Sequence, residues 1–453
     1  MNRNLVNTRI AFLLCVAIAA IFLNACGDGV DANEQAVADV DESSLLKEIA
    51  SSSSEMSSSS EALYPESFKP DDAEYPYAGI PRIVIETEKR QAIKDRETEI
   101  PAKLQIWGEK KAESEIMDLT IRGRGNTSWW NMPKKSYKIE FAKKQSMLGM
   151  PKDKDWALIA NYADKSLLKN YVTYQLASWL GAKYAPKSDY AELYLNGSYL
   201  GVYLLTETVK KGKNRVNISE NAYLAEFDVK QKADDFGFVT KKEKKVTIHY
   251  PKDLSEDETS LLKEFIEFLE TTFAYDSLDL QTLSQYIDVD DYILFYWIQE
   301  FSKNKDGAFS TSVYFTWEKD RPLSMGPVWD FDLAYGGNYG GDVIANGEWY
   351  VRNFYWNRRL FSEDFFVDLV KKYWIENSRV FRSVQDSIYS YKKKIWNSAQ
   401  NNFKRWDILE STTNIWHNIA FADYDSAVDS LVGWIDYRIR WIDDNLKNIR
   451  YDD

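Results

Sequence analysis

Asp288-Val289-Asp290-Asp291-Tyr292-Ile293-Leu294-Phe295-Tyr296-Trp297-Ile298 opens the stretch that decides the fold, and Val328-Trp329-Asp330-Phe331-Asp332 closes it. After an acidic start, the dense apolar run Tyr292 to Ile298 reads as part of a buried helix over Tyr286 to Phe301. A polar turn follows, Lys303-Asn304-Lys305-Asp306-Gly307, and then a strand, Ser312 to Trp317. Asp320-Arg321-Pro322 turns the chain, and Leu323 to Trp329 reads as a second strand. A hairpin returns the chain to where it started, so Asp306 is expected beside Asp330 and Asp332. Three carboxylates converging next to a packed helix point to metal and proton chemistry.

Upstream, Arg82 to Thr87, Ala102 to Trp107 and Met117 to Ile121 read as strands, the last two with clear alternation. Arg122-Gly123-Arg124-Gly125-Asn126-Thr127-Ser128-Trp129-Trp130 then joins them to another strand, Ser136 to Phe141. Glycines let a backbone approach a phosphate, and Arg122, Arg124, Lys134, Lys135 and Lys138 flank this turn. Gly-x-Gly spacing alone describes a wide hairpin with solvated lysines equally well. A helix is expected from Asp164-Lys165-Ser166 to Gly181, with Leu168, Val172, Leu176, Trp179 and Leu180 as its apolar stripe. Asn196-Gly197 between alternating runs predicts a hairpin whose second strand ends at Thr206-Glu207. The charged stretch Lys210 to Lys245 encloses one strand, Tyr223 to Val229. Beyond it the chain reads as helical: a capping box at Ser255 and Glu258, then amphipathic segments at Phe365 to Ile375, Ser383 to Ile395 and Ala427 to Ile442. Tyr335 to Gly341 forms a glycine-rich loop beside the acid pair.

The 453 residues suffice for one large or two medium domains. A formal charge of −13 without a basic stripe argues against nucleic acid as a partner. Aromatic residues make up 15% of the chain, enough to furnish stacking surfaces as well as core. Arg3 and Arg9, the apolar run Ile10 to Leu23 and Leu23-Asn24-Ala25-Cys26 form an export signal over residues 1–25 that ends like a bacterial lipobox, with Cys26 as the lipidated residue. The expected location is the cell envelope, anchored to membrane lipid. Residues 26–78 are acidic and serine-rich and read as a flexible tether. Cys15 leaves with the signal and Cys26 is acylated, so no disulfide is expected. His249 and His417 are the two histidines, too few for a His-based zinc site or a Ser-His-Asp triad.

A glycine turn, a strand lysine, a loop aspartate and an Asp-Phe-Asp together match the needs of phosphoryl transfer from ATP. The sequence resembles the CotH kinase family, the spore-coat-protein-H-like atypical kinases. The resemblance is carried by Arg122 to Trp129, Pro133 to Lys138, Leu148-Gly149-Met150 with Trp156-Ala157-Leu158, Tyr194 to Tyr203, Asn304-Lys305-Asp306 and Val328 to Asp332. It implies an α+β, protein-kinase-like two-lobe fold over residues 79–451. The antiparallel-sheet N-lobe would span about 79–230 and a mainly helical C-lobe about 250–451. It further implies ATP and Mg²⁺ (or Mn²⁺) as cofactors and phosphorylation of Ser/Thr on an envelope protein or on the chain's own tether. By position, Asp306 resembles the catalytic base, and Asp330 and Asp332 the metal ligands. Lys138 or Lys134, with Arg124, would bind the phosphates, Lys138 being favoured by its place in the alternating strand. Glu207 would lie near the adenine. Ser312 stands where kinase catalytic loops offer a metal-binding Asn, a hydroxyl in place of an amide oxygen. The competing reading is a non-catalytic cell-surface scaffold or glycan-associated module, which the tether, the aromatic content and the scarcity of ATP outside the cytoplasm favour. A glycosidase ranks below both, because nothing fixes two acids at the required spacing.

Overall fold

Strand β2 (Ile100–Trp107) turns Ala102, Leu104 and Ile106 to one side and Lys103 and Gln105 to the other. β3 (Met117–Arg124) and β4 (Ser136–Gln145) repeat the alternation with Leu119, Ile121, Tyr137, Ile139 and Phe141. With β1 (Arg82–Thr87), β5 (Asp153–Ile159), β6 (Ser188–Leu195) and β7 (Ser198–Glu207), these strands form a closed barrel in the order β1-β2-β3-β4-β5-β7-β6. Parallel pairing of β1 with β6, Ile83 opposite Leu193, closes it. The inward side chains, among them Leu104, Ile139, Trp156 and Leu205, share one core. Asn196 and Gly197 take φ of 51° and 78° at the β6–β7 turn, the left-handed pair that a two-residue hairpin requires. The described residues are 63–65, 68–231, 235–275, 278–336, 346–412 and 419–451 of this computed structural model. The signal, Cys26, the tether up to residue 62, His417 and residues 337–341 of the glycine-rich loop lie outside them. Residues just ahead of Gly79 pack on the barrel: Phe68 is buried with Val84, Tyr194 and Tyr199, and Tyr75 stacks on Tyr199 at 4.2 Å.

A second sheet, β12-β11-β8-β10-β9, is built from β8 (Tyr223–Phe227), β9 (Gly237–Val239), β10 (Lys245–Tyr250), β11 (Val313–Trp317) and β12 (Ser324–Met325). This overturns the expected protein-kinase-like two-lobe fold with an antiparallel-sheet N-lobe and a helical C-lobe. The N-terminal strands do not form an open antiparallel sheet, because β1 and β6 pair in parallel and close it. The region assigned to a charged linker and a helical lobe supplies a five-stranded sheet of its own.

Several local readings also shift. Thr127 to Asn131 form a short helix, α1, within the glycine turn, while β3 and β4 still pair around it, Arg124 opposite Ser136. The next helix, α2, runs Lys169–Trp179. Asp164 precedes it and accepts the backbone N–H groups of Ser166 (2.9 Å) and Lys169 (2.9 Å). The capping box holds at the start of α3 (Glu256–Tyr275): Ser255 N donates to Glu258 Oε2 at 2.8 Å and Glu258 N to Ser255 Oγ at 3.3 Å. The buried helix expected from Tyr286 begins at Val289 as α5 (Val289–Phe301), after a separate short helix, α4 (Leu280–Tyr286), and the Asp288 carboxylate caps α5 through Asp291 N. After α6 (Trp356–Leu360), two amphipathic segments fuse into one helix, α7 (Asp364–Arg405), followed by α8 (Tyr424–Asn445). Trp297 of α5 donates to Val370 O of α7 at 3.0 Å and packs on Trp374. The C-terminal end of α7 is stitched to the barrel by Asn402 Oδ1, which accepts Val202 N at 3.1 Å. Gly201 leaves room for that contact, since a Cβ there would lie 2.5 Å from the same oxygen.

Candidate active site

One cleft of about 810 Å³ gathers most of the sequence-predicted residues. The barrel contributes Arg96, Arg122, Arg124, the turn Gly125 to Ser128 and Lys134; the second sheet contributes Glu226, Asp228, His249 and Tyr314. Asp306, Ser312, Asp330 and Asp332 enter on the loops that flank β11 and β12. A separate hollow of about 650 Å³ near Glu113, Glu115 and Asp118 contains none of the predicted residues.

Asp306 is set by the end of α5. Asn304 donates to Gln299 Oε1 at 2.9 Å, and Asp306 N donates to Asn304 Oδ1 at 3.4 Å. Gly307 must be small, because a Cβ there would sit 2.2 Å from Gln299 Oε1. Asp330 has φ of 64°, a conformation that side-chain-bearing residues hold only when their surroundings impose it. Those surroundings are visible. Asn304 Nδ2 donates to Asp330 O (3.3 Å), Phe331 N donates to Asn170 Oδ1 on α2 (2.7 Å), and Tyr174 of α2 stacks on Trp329 (5.7 Å).

The acids are electrostatically strained together. Burial first, and then the charge of Asp330, push the Asp306 carboxyl up to about 7. Burial also raises Asp330, against the pull of the Arg124 guanidinium. Asp332 is raised well above the usual carboxylate range by burial and by Asp330 and Asp306, and it shares a hydrogen bond with Asp330. The Arg124 guanidinium lies 4.7 Å from the centre of the Trp329 ring, and its charge acts on the neighbouring Asp330. Behind them, Lys169 Nζ is 3.5 Å from Asp332 O.

The barrel lysines have other partners. Lys134 is buried and donates to Ala160 O (2.8 Å), Val202 O (2.5 Å) and Asn402 Oδ1 (2.9 Å); burial holds its pKa well below the ordinary lysine value. All three N–H bonds of an ammonium are thus directed into the seam between the barrel and α7. Lys138 lies outside the cleft lining and pairs with Asp155 (2.8 Å) and Glu140 (3.0 Å). Glu207 is also outside it, in a fully buried pair with Arg215 (2.6 Å) and bonded to Tyr184 OH and Lys187 N, both at 3.0 Å. The structure therefore brings together Asp306, Asp330, Asp332 and Arg124. It does not bring Lys138 or Glu207 to them.

Two groups escaped the sequence reading. Arg96, from the loop before β2, donates to Gly125 O (2.7 Å) and Asn126 Oδ1 (2.5 Å) and so pins the glycine turn. Glu226 and Asp228, from β8 and the residue just beyond it, face the cleft from the second sheet. The signal for Glu226 was a lone acid in Tyr-Leu-Ala-Glu-Phe, a strand buried on both faces.

Among the described residues, no group of three or more His, Cys, Asp and Glu side chains is gathered to hold a metal by itself. The donor set still suits a hard cation: Mg²⁺ is typically bound through one or two carboxylates plus substrate phosphates. Asp330 and Asp332 are such a pair; burial raises both, Asp330 against the pull of Arg124 and Asp332 against that of Lys169.

Inner spore coat protein H of Bacillus subtilis (strain 168) is similar to this chain, 24% identical over 242 residues. The aligned part makes up 52% of this chain and 64% of that protein, less than two thirds of its length. A family model described as CotH kinase protein matches residues 121–442, which take in the glycine turn, β8, Asp306 and the Asp330–Asp332 pair. That match spans more than half of the sequence, and the chain belongs to the CotH kinase protein family.

Proposed function

We propose that this chain transfers the γ-phosphoryl group of ATP to a Ser or Thr hydroxyl of a protein acceptor. The observation that supports the reading best is the convergence of Asp306, Asp330 and Asp332 with Arg124 opposite a glycine turn in one cleft. Asp306 accepts the proton of the acceptor hydroxyl as its oxygen bonds to phosphorus and the bond to the ADP oxygen breaks. A carboxyl held at about 7 is matched to proton transfer near neutral pH. Arg124 meets phosphate oxygens as a fixed fork of donors, with the backbone of Gly125 to Ser128 beside it. Asp330 and Asp332 would hold Mg²⁺ or Mn²⁺, which when bound neutralises phosphate charge. Ser312 contributes no amide oxygen, and Asp332 would serve as the second ligand in its place.

Export and anchoring through Cys26 belong to the same proposal and rest on the sequence of residues 1–26. The acceptor is then an envelope protein or the serine-rich tether itself.

Calorimetric titration with MgATP tests the reading. Saturable binding by the wild type, weakened at least tenfold in Asp330→Asn, is the expected result, since a lost charge-assisted contact of about 1.5–3 kcal/mol has that size. Absence of nucleotide binding in the wild type overturns it and leaves a non-catalytic surface module.

A further inference from the structure

The loop that carries Asp306 leaves α5 at Phe301 and reaches β11 at Val313, and it is not held by α5 alone. Three successive residues of the loop are tied to the end of β8. Ser310 O accepts Val229 N at 2.8 Å, Thr311 Oγ1 donates to Asp228 Oδ1 at 2.8 Å, and Ser312 N donates to Glu226 Oε1 at 2.8 Å. Ser310 N in turn donates to Asp306 O at 3.1 Å, so the ties reach the candidate base within one hydrogen bond. The loop is not a relaxed one. Phe309 and Ser312 have φ of 57° and 58°, where a residue with a side chain stays only if its neighbours hold it.

Glu226 is the buried member of this set. Its side chain is 7% exposed, and its second oxygen lies 2.8 Å from His249 Nε2 on β10, which is 33% exposed. Tyr314 of β11 also bonds to it. A carboxylate with two oxygens accepting from three elements, the loop, β10 and β11, fixes their mutual position more tightly than a neutral side chain of the same size. Resting on the phosphoryl-transfer reading, we infer that Glu226 is a positioning residue, which sets the Asp306 loop by accepting the Ser312 N–H and does not itself touch substrate. Ser312, where kinases carry a metal-binding amide, thereby acts through its backbone and not its side chain. Its N–H is the handle by which the second sheet holds the base.

The experiment has two arms. In the first, amide hydrogen exchange is measured on the nucleotide-free full chain for the segment 302–312. Glu226→Ala is expected to speed exchange there by at least tenfold, while the barrel strands exchange as in the wild type. Wild-type exchange in this segment overturns the inference, whatever the protein catalyses. In the second, steady-state transfer from MgATP to a serine-rich peptide is measured. Glu226→Ala is expected to lower kcat by about 30–100-fold, the scale of a base displaced by about an ångström, with KM for ATP nearly unchanged. Glu226→Gln retains an acceptor for Ser312 N–H and is expected to recover most of the loss. Parallel losses in kcat and KM, or a glutamine variant as slow as the alanine one, overturn it. A wild type that binds no MgATP defeats the underlying phosphoryl-transfer reading, and the exchange arm then decides the loop tie by itself.

Discussion

The two walls of the cleft use their charged residues in opposite ways. On the barrel wall nearly every charge named above has a protein partner. Lys134 is bonded to two carbonyls and Asn402, Arg96 to the glycine turn, and Arg122 to Arg96 O at 2.5 Å; deeper in the barrel, outside the cleft, Glu207 is paired with Arg215 at 2.6 Å. On the opposite wall Asp306, Asp330 and Asp332 crowd one another, and burial with the charge of neighbouring carboxylates raises all three, Asp306 to about 7. A satisfied polar group stabilises the fold, whereas an unsatisfied like-charged cluster costs stability and persists where a ligand neutralises it. The comparison assigns scaffolding to the barrel and chemistry to the loops held by the second sheet. Arg124 is the exception, a barrel residue whose charge is aimed across the gap.

The largest effect should come from the chemical wall. Asp306→Asn keeps the shape of the side chain and the backbone bond to Asn304 but cannot take a proton. Phosphoryl transfer is expected to fall about 10²–10⁴-fold, the usual contribution of a general base, with MgATP affinity near the wild-type value. A radiometric transfer assay beside a calorimetric titration reads both quantities, and retained transfer would remove Asp306 from the mechanism.

The barrel behind the cleft should respond through stability instead. Glu207→Leu leaves Arg215 buried without its carboxylate partner, and breaking such a pair costs about 3–5 kcal/mol. Denaturant melts should show that loss, and the protein that remains folded should bind MgATP as before. An affinity change without a stability change would return Glu207 to the nucleotide site.

What the sequence made legible follows the same division. Local signals worked where structure is local. Asn196-Gly197 marked the β6–β7 hairpin, the alternation of Tyr137, Ile139 and Phe141 marked β4, and Ser255 with Glu258 marked the start of α3. Asp306, Asp330 and Asp332 were legible as a group because a short return of the chain brings them together. The barrel was not legible, because its closure depends on β1 meeting β6 in parallel across more than a hundred residues and no local period encodes that pairing. The second sheet was hidden for a related reason. β8 and β11 were each legible as strands, Tyr223 to Val229 and Ser312 to Trp317, but they lie nearly ninety residues apart and no local signal pairs them. Lys138 was favoured because it alternates in a strand, but alternation gives the face of a strand and not what that face meets. Here it meets Asp155 and Glu140.

The crowded acids also set a pH dependence of the nucleotide-free protein. Asp306 is raised from 3.8 to about 7, and Asp330 and Asp332 move in the same direction, so between about pH 4 and 7 the folded state binds more protons than the unfolded chain. Stability is then highest at the acid end of this window for these groups, and it falls as pH rises through it. The melting temperature should decline from pH 5 to pH 8, with a shallower slope in Asp306→Asn. Added Mg²⁺ should recover part of the loss at pH 8, since a ligand that binds only the folded state stabilises it. A flat or rising profile would mean that the acids are already compensated, and the contrast between the walls would lose its electrostatic basis.

Lys138 offers the smallest effect and the sharpest test of the division itself. Its side chain is 22% exposed and its ammonium is divided between Asp155 and Glu140, and Asp155 has a second partner in Lys210. Lys138→Met keeps most of the aliphatic stem that packs along β4, and it leaves Asp155 paired. The stability cost should therefore stay within the range of a partly exposed ion pair, about 0–1 kcal/mol. MgATP affinity should not change, because no atom of Lys138 lines the cleft. Affinity measured by titration at two salt concentrations checks this. A tenfold loss that shrinks as salt is added would show the ammonium acting on phosphate charge, which requires Lys138 to leave Asp155 when nucleotide binds. The barrel wall would then hold a second reactive cation beside Arg124, and the pairing with Asp155 would be a resting state of the site and not part of its scaffold.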